Sequence, residues 1–171
     1  MKKLLNTALL LFAVLMTSCT APNAWELVSK DSNVRFALEN KQENGSTMLS
    51  YSVFYKDGVA MEKSLLGLVM DNCEYGKDAQ FVSASAVKDI SNAYQLKSGK
   101  KMNTTDECRE QTFTFRTKEN KQFNLIVRVY NDGVVFRYEL PGEDGQMHTI
   151  QAEHTEFAVP VNGKAWIHPY D

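Results

Sequence analysis

The stretch FNLIVRVYNDGVVFRYEL, residues 123–140, decides the fold. Phe123, Leu125, Val127 and Val129 recur at every second position, then a turn signal interrupts, then Val134, Phe136, Tyr138 and Leu140 resume the same period. A period of two is the signature of a strand with one buried face, and two such runs about an Asn-Asp-Gly step read as a β-hairpin. A two-residue Asp132-Gly133 loop opposes Val129 to Phe136, Val127 to Tyr138 and Leu125 to Leu140. An Asn131-Asp132 loop shifts the partners but keeps apolar residues opposite apolar ones. A three-residue loop sets Val127 against Arg137 and destroys the face, so an even loop is predicted, with Asp-Gly the better primed turn. In that register Arg128 lies opposite Arg137, a destabilising placement. Either Glu139, Glu153 or Glu156 compensates it, or the two arginines splay into solvent.

Outward from the hairpin the same period recurs. NVRFALE (33–39) and TMLSYSVFYKDGVAM (47–61) alternate, the second with an Asp57-Gly58 turn. SLLGLVM (64–70) is a near-continuous apolar run that suits a strand covered on both faces. QFVSASAVKDI (80–90) alternates weakly, QTFTFRT (111–117) clearly, and the tail from Met147 supplies one or two more strands. Between 88 and 111 the chain is polar and unpatterned, and a long loop or edge excursion is expected there. No segment after residue 24 carries helical period with caps. Turn signals every ten or so residues predict an all-β sandwich.

The N-terminus is different in kind. MKKLLNTALLLFAVLMTSC (1–19) has a basic start and a short apolar run, which is a secretory signal rather than a membrane span. Cys19 directly after it resembles the bacterial lipobox, where the cysteine is acylated and anchors the protein to a membrane face. The alternative is ordinary cleavage near Ser18 or Ala21. The expected organisation is a signal peptide at 1–19, a short linker at 20–24 and one domain at 25–171. Removing residues 1–19 takes away Lys2 and Lys3, so 19 basic residues become 17 against 21 acidic ones, net −4. With no basic stripe, that balance argues against nucleic acid as a partner.

Cys73 and Cys108 remain, an even pair that suggests one disulfide in an exported protein. Closing its loop would stabilise the fold by about 4 kcal/mol; two buried free thiols are the alternative. His148, His154 and His168 lack zinc-ligand spacing, and no metal site is expected. The chain contains no G-x-S-x-G, H-E-x-x-H or phosphate loop. Trp166 and Tyr170, with Trp25, are candidates to stack on a sugar face. A His148, His154 and Glu153 cluster is the weak form of an anomerising site. Residue chemistry alone stops at an exported all-β domain.

The hairpin also carries a resemblance. RVYNDGVVFRYELP closely resembles the signature of the N-terminal domain of glycoside hydrolase family 97, with Arg128, Tyr130, Asn131, Asp132, Gly133, Phe136, Arg137 and Tyr138 as the matching residues. WELVSKDSNVRFALE, LSYSVFYKDGVAMEKSLLGLVM, YQLKSGKK with Glu107 or Glu110 downstream, EHTEFAVP and AWIHPYD are similar to further segments of that domain. Val135 departs from the usual alanine, and the two cysteines are not part of the pattern. The resemblance implies a β-super-sandwich of the galactose mutarotase-like fold. It implies a parent that is an exported Bacteroidetes enzyme hydrolysing α-glucosides or α-galactosides through carboxylates of a (β/α)₈ barrel, with a calcium near the substrate. The chain ends about where that barrel would begin. A truncated, non-catalytic supporting domain is therefore expected, with no catalytic residue and no cofactor of its own. Its partners would be the missing barrel, an α-linked oligosaccharide and, through Cys19, a membrane. A free-standing carbohydrate-binding lipoprotein is the other reading.

Overall fold

The computed structural model describes residues 23–43, 45–100, 102–142 and 145–168. The signal segment, Cys19 and Tyr170 lie outside them. All the regular structure among the described residues is β. Twelve strands, β1 (Ala24–Val28), β2 (Val34–Glu43), β3 (Ser46–Tyr55), β4 (Gly58–Leu65), β5 (Leu68–Met70), β6 (Glu74–Tyr75), β7 (Gln80–Ala84), β8 (Lys88–Gln95), β9 (Asn103–Arg116), β10 (Gln122–Val129), β11 (Val134–Glu139) and β12 (Ile150–Glu153), form three antiparallel sheets.

The first sheet is the meander β1-β2-β3-β4. The β1–β2 turn is closed by Ser29, whose hydroxyl accepts from the Val34 N–H at 3.0 Å and donates to Asp31 at 2.7 Å. Between β3 and β4 the pair Tyr55↔Gly58 closes the hairpin around Lys56-Asp57, one residue earlier than the predicted Asp57-Gly58 turn. Lys56 takes the positive φ of 51° there, so the glycine is left to open β4.

The second sheet runs β11-β10-β9-β7, with β8 also on β9. β9 is long because it serves two strands along one edge: β7 pairs with its C-terminal end and β8 with its N-terminal half. The stretch expected as a loop is therefore mostly a β8–β9 ribbon. Apart from the facing pair Ile90 and Cys108, its side chains are polar or exposed on both faces, which is why no alternation marked it in the sequence.

The third sheet, β12-β5-β6, arises where the run 64–70 breaks. Instead of one strand covered on both faces, the chain leaves β4 at Leu65 and re-enters a different sheet at Leu68. Gly67 sits at the crossing, where an added Cβ would stand 3.2 Å from the His154 Cβ. After β12 the chain continues alongside the edge of β4: the His154, Glu156 and Glu62 N–H groups donate to Gly67, Leu65 and Ala158 at 2.8, 2.9 and 2.8 Å. An otherwise open sheet edge is thereby covered.

The core lies between the first two sheets. Phe36, Leu38 and Leu49 from one, and Phe113, Phe115, Phe123, Leu125, Val127 and Val129 from the other, are fully buried. Each contributes roughly 1.5–3 kcal/mol. Trp25 packs tilted against Phe81 at 4.5 Å and stands edge-on to Phe115 at 5.7 Å, tying β1 to the second sheet.

Candidate functional site

The hairpin pairs Val129↔Val134, Val127↔Phe136 and Leu125↔Tyr138. The loop is two residues long, but it is Asn131-Asp132, not Asp132-Gly133. Tyr130 N–H donates to the Gly133 carbonyl at 2.8 Å, and neither loop residue has a positive φ, so the primed turn is not formed. In this register Arg128 faces Val135 and Arg137 faces Ile126, and the expected arginine pair does not arise. Arg128 instead lies across from Glu110 of β9 and donates its Nε–H to that carboxylate at 2.7 Å. Glu110 raises the already high basicity of the guanidinium. Of the acids expected to compensate the arginines, Glu139 stands 3.9 Å from Arg137, whose side chain is 67% exposed.

The other signature residues are structural to different degrees. Burial, then Asp106, pushes the Tyr130 phenol up to about 12. Asn131 Oδ1 accepts from the Asp31 N–H at 3.3 Å, linking the hairpin tip to the β1–β2 turn. Phe136 meets Tyr51 at 5.1 Å and stacks on Phe157 at 6.4 Å, over a small apolar recess it shares with Val53, Met61 and Val134. Tyr138 shares a hydrogen bond of 3.0 Å with Thr155, and burial lifts its phenol to about 12. Gly133 is open, with nothing within 4 Å of an added Cβ.

Cys73 and Cys108 are both free and buried. The Cys73 thiol lies 3.3 Å from both Thr117 Oγ1 and Glu119 Oε2 at the C-terminal end of β9, whereas Cys108 sits in the middle of β9 opposite Ile90. At roughly 3.3 Å per residue the two ends of that span are about 30 Å apart. A disulfide needs Cα atoms within about 7 Å, so the predicted bridge is not formed. Burial raises both thiols above the ordinary cysteine value.

His148 and His154 do not converge. His154 and Glu153 line a groove of about 360 Å³ with Gly67 and Tyr75. His148 lines a separate, larger cleft of about 600 Å³ between the β5–β6 turn, the β9–β10 turn and the segment after β11. There Asp71 Oδ1 holds His148 Nδ1 at 3.0 Å, and Asn72 Nδ2 reaches the same ring at 2.9 Å. Arg116, Lys121, Asn120 and Gln122 form the opposite wall. Sequence reading missed this cleft, because its walls lie up to 77 positions apart and follow no local pattern. Trp166 is 88% exposed and lines none of these hollows. Among the described residues, no three His, Cys, Asp or Glu side chains converge as metal ligands.

The family model described as Glycosyl-hydrolase 97 N-terminal matches residues 27–171. Over 110 residues the chain is 28% identical to a "Probable retaining alpha-galactosidase" of Streptomyces bingchenggensis (strain BCW-1), covering 64% of this chain and 17% of that protein. Among solved structures, a beta-arabinopyranosidase superimposes with TM-score 0.72 at 27% identity, over 80% of this chain and 21% of that one. A glycoside hydrolase family 97 enzyme from Pseudoalteromonas sp. strain K8, in complex with panose, superimposes with TM-score 0.70 at 24% identity, over 79% and 20%. The chain thus spans about a fifth of the length of the relatives it matches.

Proposed function

Because this chain belongs to the glycoside hydrolase family 97 N-terminal domain family, we propose that it is the supporting β-domain of an exported α-glycosidase. One observation carries this reading: the family's N-terminal model matches residues 27–171, while the chain spans about a fifth of its solved relatives. The three sheets are then the parts of a β-super-sandwich of the galactose mutarotase-like kind. The substrate of the whole enzyme is an α-linked oligosaccharide, a reading supported by the relatives from Pseudoalteromonas in complex with panose and with acarbose.

The division of labour follows from what the residues here do. Hydrolysis of a glycosidic bond needs two carboxyl groups held several ångströms apart across the scissile bond, one to protonate the leaving oxygen and one to act as base or nucleophile. The best-placed acids of the signature region are committed elsewhere. Glu110 is engaged by Arg128, and Glu139 accepts from the Asn124 amide at 2.7 Å. These groups fix β9, β10 and β11 against one another and leave the reacting carboxylates to a catalytic barrel. Among the described residues, no three His, Cys, Asp or Glu side chains converge as ligands for the calcium that the family resemblance implies.

Incubating the purified full chain with 4-nitrophenyl α-glucoside and α-galactoside tests the reading. No turnover above buffer is expected. Turnover that a chelator abolishes overturns it.

A further inference from the structure

We propose that the open edge of β11 pairs antiparallel with the β11 of a second copy of this chain, joining the two second sheets in an isologous dimer. Among the described residues β11 has one neighbour, β10. Tyr130 N–H donates to Gly133 across the closing pair of their hairpin. By alternation Val135, Arg137 and Glu139 then direct their backbone groups to β10, and Val134, Phe136 and Tyr138 direct theirs to the free edge.

A strand edge templates further pairing unless something blunts it. The two longer edge strands are blunted. The segment after β12 covers β4, and β8 carries Lys88 and has the Lys30 ammonium on its Ile90 carbonyl at 3.4 Å. β11 contains neither a proline nor a bulge. The core is also unfinished at this edge. Phe123, Leu125, Val127 and Val129 of β10 are fully buried, whereas the core-facing Val134, Phe136 and Tyr138 of β11 are only half-buried. Phe157, stacked on Phe136, is 64% exposed.

The charges along the edge select a second copy as the occupant, and they select its register. With Tyr138 opposite the second copy's Tyr138, Phe136 meets Leu140 on the core side. On the outer side Arg137 meets Glu139 and Glu139 meets Arg137, so one short strand answers both of its own charges. Both side chains are exposed, and within one chain they stand 3.9 Å apart, at the limit of an ion pair. Pro141 falls opposite Val135, where a backbone N–H would point away from the partner, so the new ladder loses no bond there. Centring the pair on Phe136 instead sets Arg137 against Val135 and leaves both charges unanswered. The proposal makes no use of the supporting role, so its failure leaves that reading untouched.

Sedimentation equilibrium of the purified full chain tests the pairing, with Arg137→Glu and Glu139→Arg run separately and mixed. The parent should show a concentration-dependent monomer–dimer equilibrium. Each variant alone sets like charges opposite one another at both pairs and should weaken the dimer at least about tenfold. Mixing the two variants restores opposite charges at both pairs, and the heterodimer should return to within about threefold of the parent affinity. That rescue also shows that both variants fold. In the parent, hydrogen exchange at the Phe136 and Tyr138 amides should slow as the concentration rises, while the Val135 and Arg137 amides, already bonded to β10, should not change. A monomer at every concentration overturns the proposal. So does a dimer that neither variant weakens, which places association on another surface such as the apolar run within residues 1–19. Two variants that stay monomeric when mixed overturn it as well.

Discussion

A Cβ built on Gly76 falls 2.2 Å from the Leu66 carbonyl oxygen, and the backbone there has a φ of +99°. Steric overlap with main chain and a left-handed conformation both act against any side chain. Gly76→Ala should cost about 3 kcal/mol or more of stability in urea unfolding. Gly133, by contrast, belongs to the family signature but has a negative φ and open space around it. Gly133→Ala should stay within about 0.5 kcal/mol of the parent. In the sequence the two glycines carried opposite weight: Asp-Gly pointed at residue 133, while nothing local marked residue 76, whose constraint comes from a chain crossing ten residues upstream.

Tyr138 has a second consequence at this scale. Burial holds its phenol at about 12 against 10.0 for a free tyrosine, so between those pH values the native state keeps a proton that the unfolded chain releases. Stability contributed by the neutral phenol is therefore full below pH 10 and lost as the pH rises toward 12, by up to about 3 kcal/mol. Thermal melts across that window should fall in the parent, and fall less steeply in Tyr138→Phe.

At the scale of elements, alternation fixed which faces are buried, and the structure keeps every one of those faces in the 123–140 hairpin. Alternation left the register open between two even loops, because both bury the same side chains. Cross-strand chemistry decides between them: the observed register separates Arg128 from Arg137 and leaves Arg128 free to meet Glu110 on the other neighbouring strand. That contact joins residues 18 positions apart across the β9–β10 pairing. The pair is partly exposed, with Glu110 the more buried partner. A double-mutant cycle on Arg128→Ala and Glu110→Ala should return a coupling of about 1 kcal/mol that shrinks at high salt. A coupling of zero would make the bond a surface coincidence, with the register set by packing alone.

For the whole molecule, legibility declined with distance along the chain. The first sheet and the β9–β10–β11 part of the second are built from hairpins and were readable, whereas the β8–β9 ribbon was not. The third sheet joins β5 to β12 across some eighty residues, and the polar cleft it borders was invisible for the same reason. At the other end of the chain, residues 1–22 lie outside the described residues. Among the described residues no helix is long and apolar enough to cross a membrane. Attachment of this domain to a membrane face through a lipid would rest on Cys19, which follows the apolar run after Thr17 and Ser18. One acyl chain gives only marginal binding, at about 0.8 kcal/mol per buried methylene, whereas a lipoprotein cysteine carrying several chains anchors stably. The full chain expressed in a Gram-negative host with labelled palmitate should take up label and sediment with membranes. Cys19→Ala should lose the label and move to the soluble fraction, while Cys73→Ala and Cys108→Ala, whose thiols are buried in the fold, should retain it. Label persisting in Cys19→Ala would sink the anchor and leave an ordinary secreted domain.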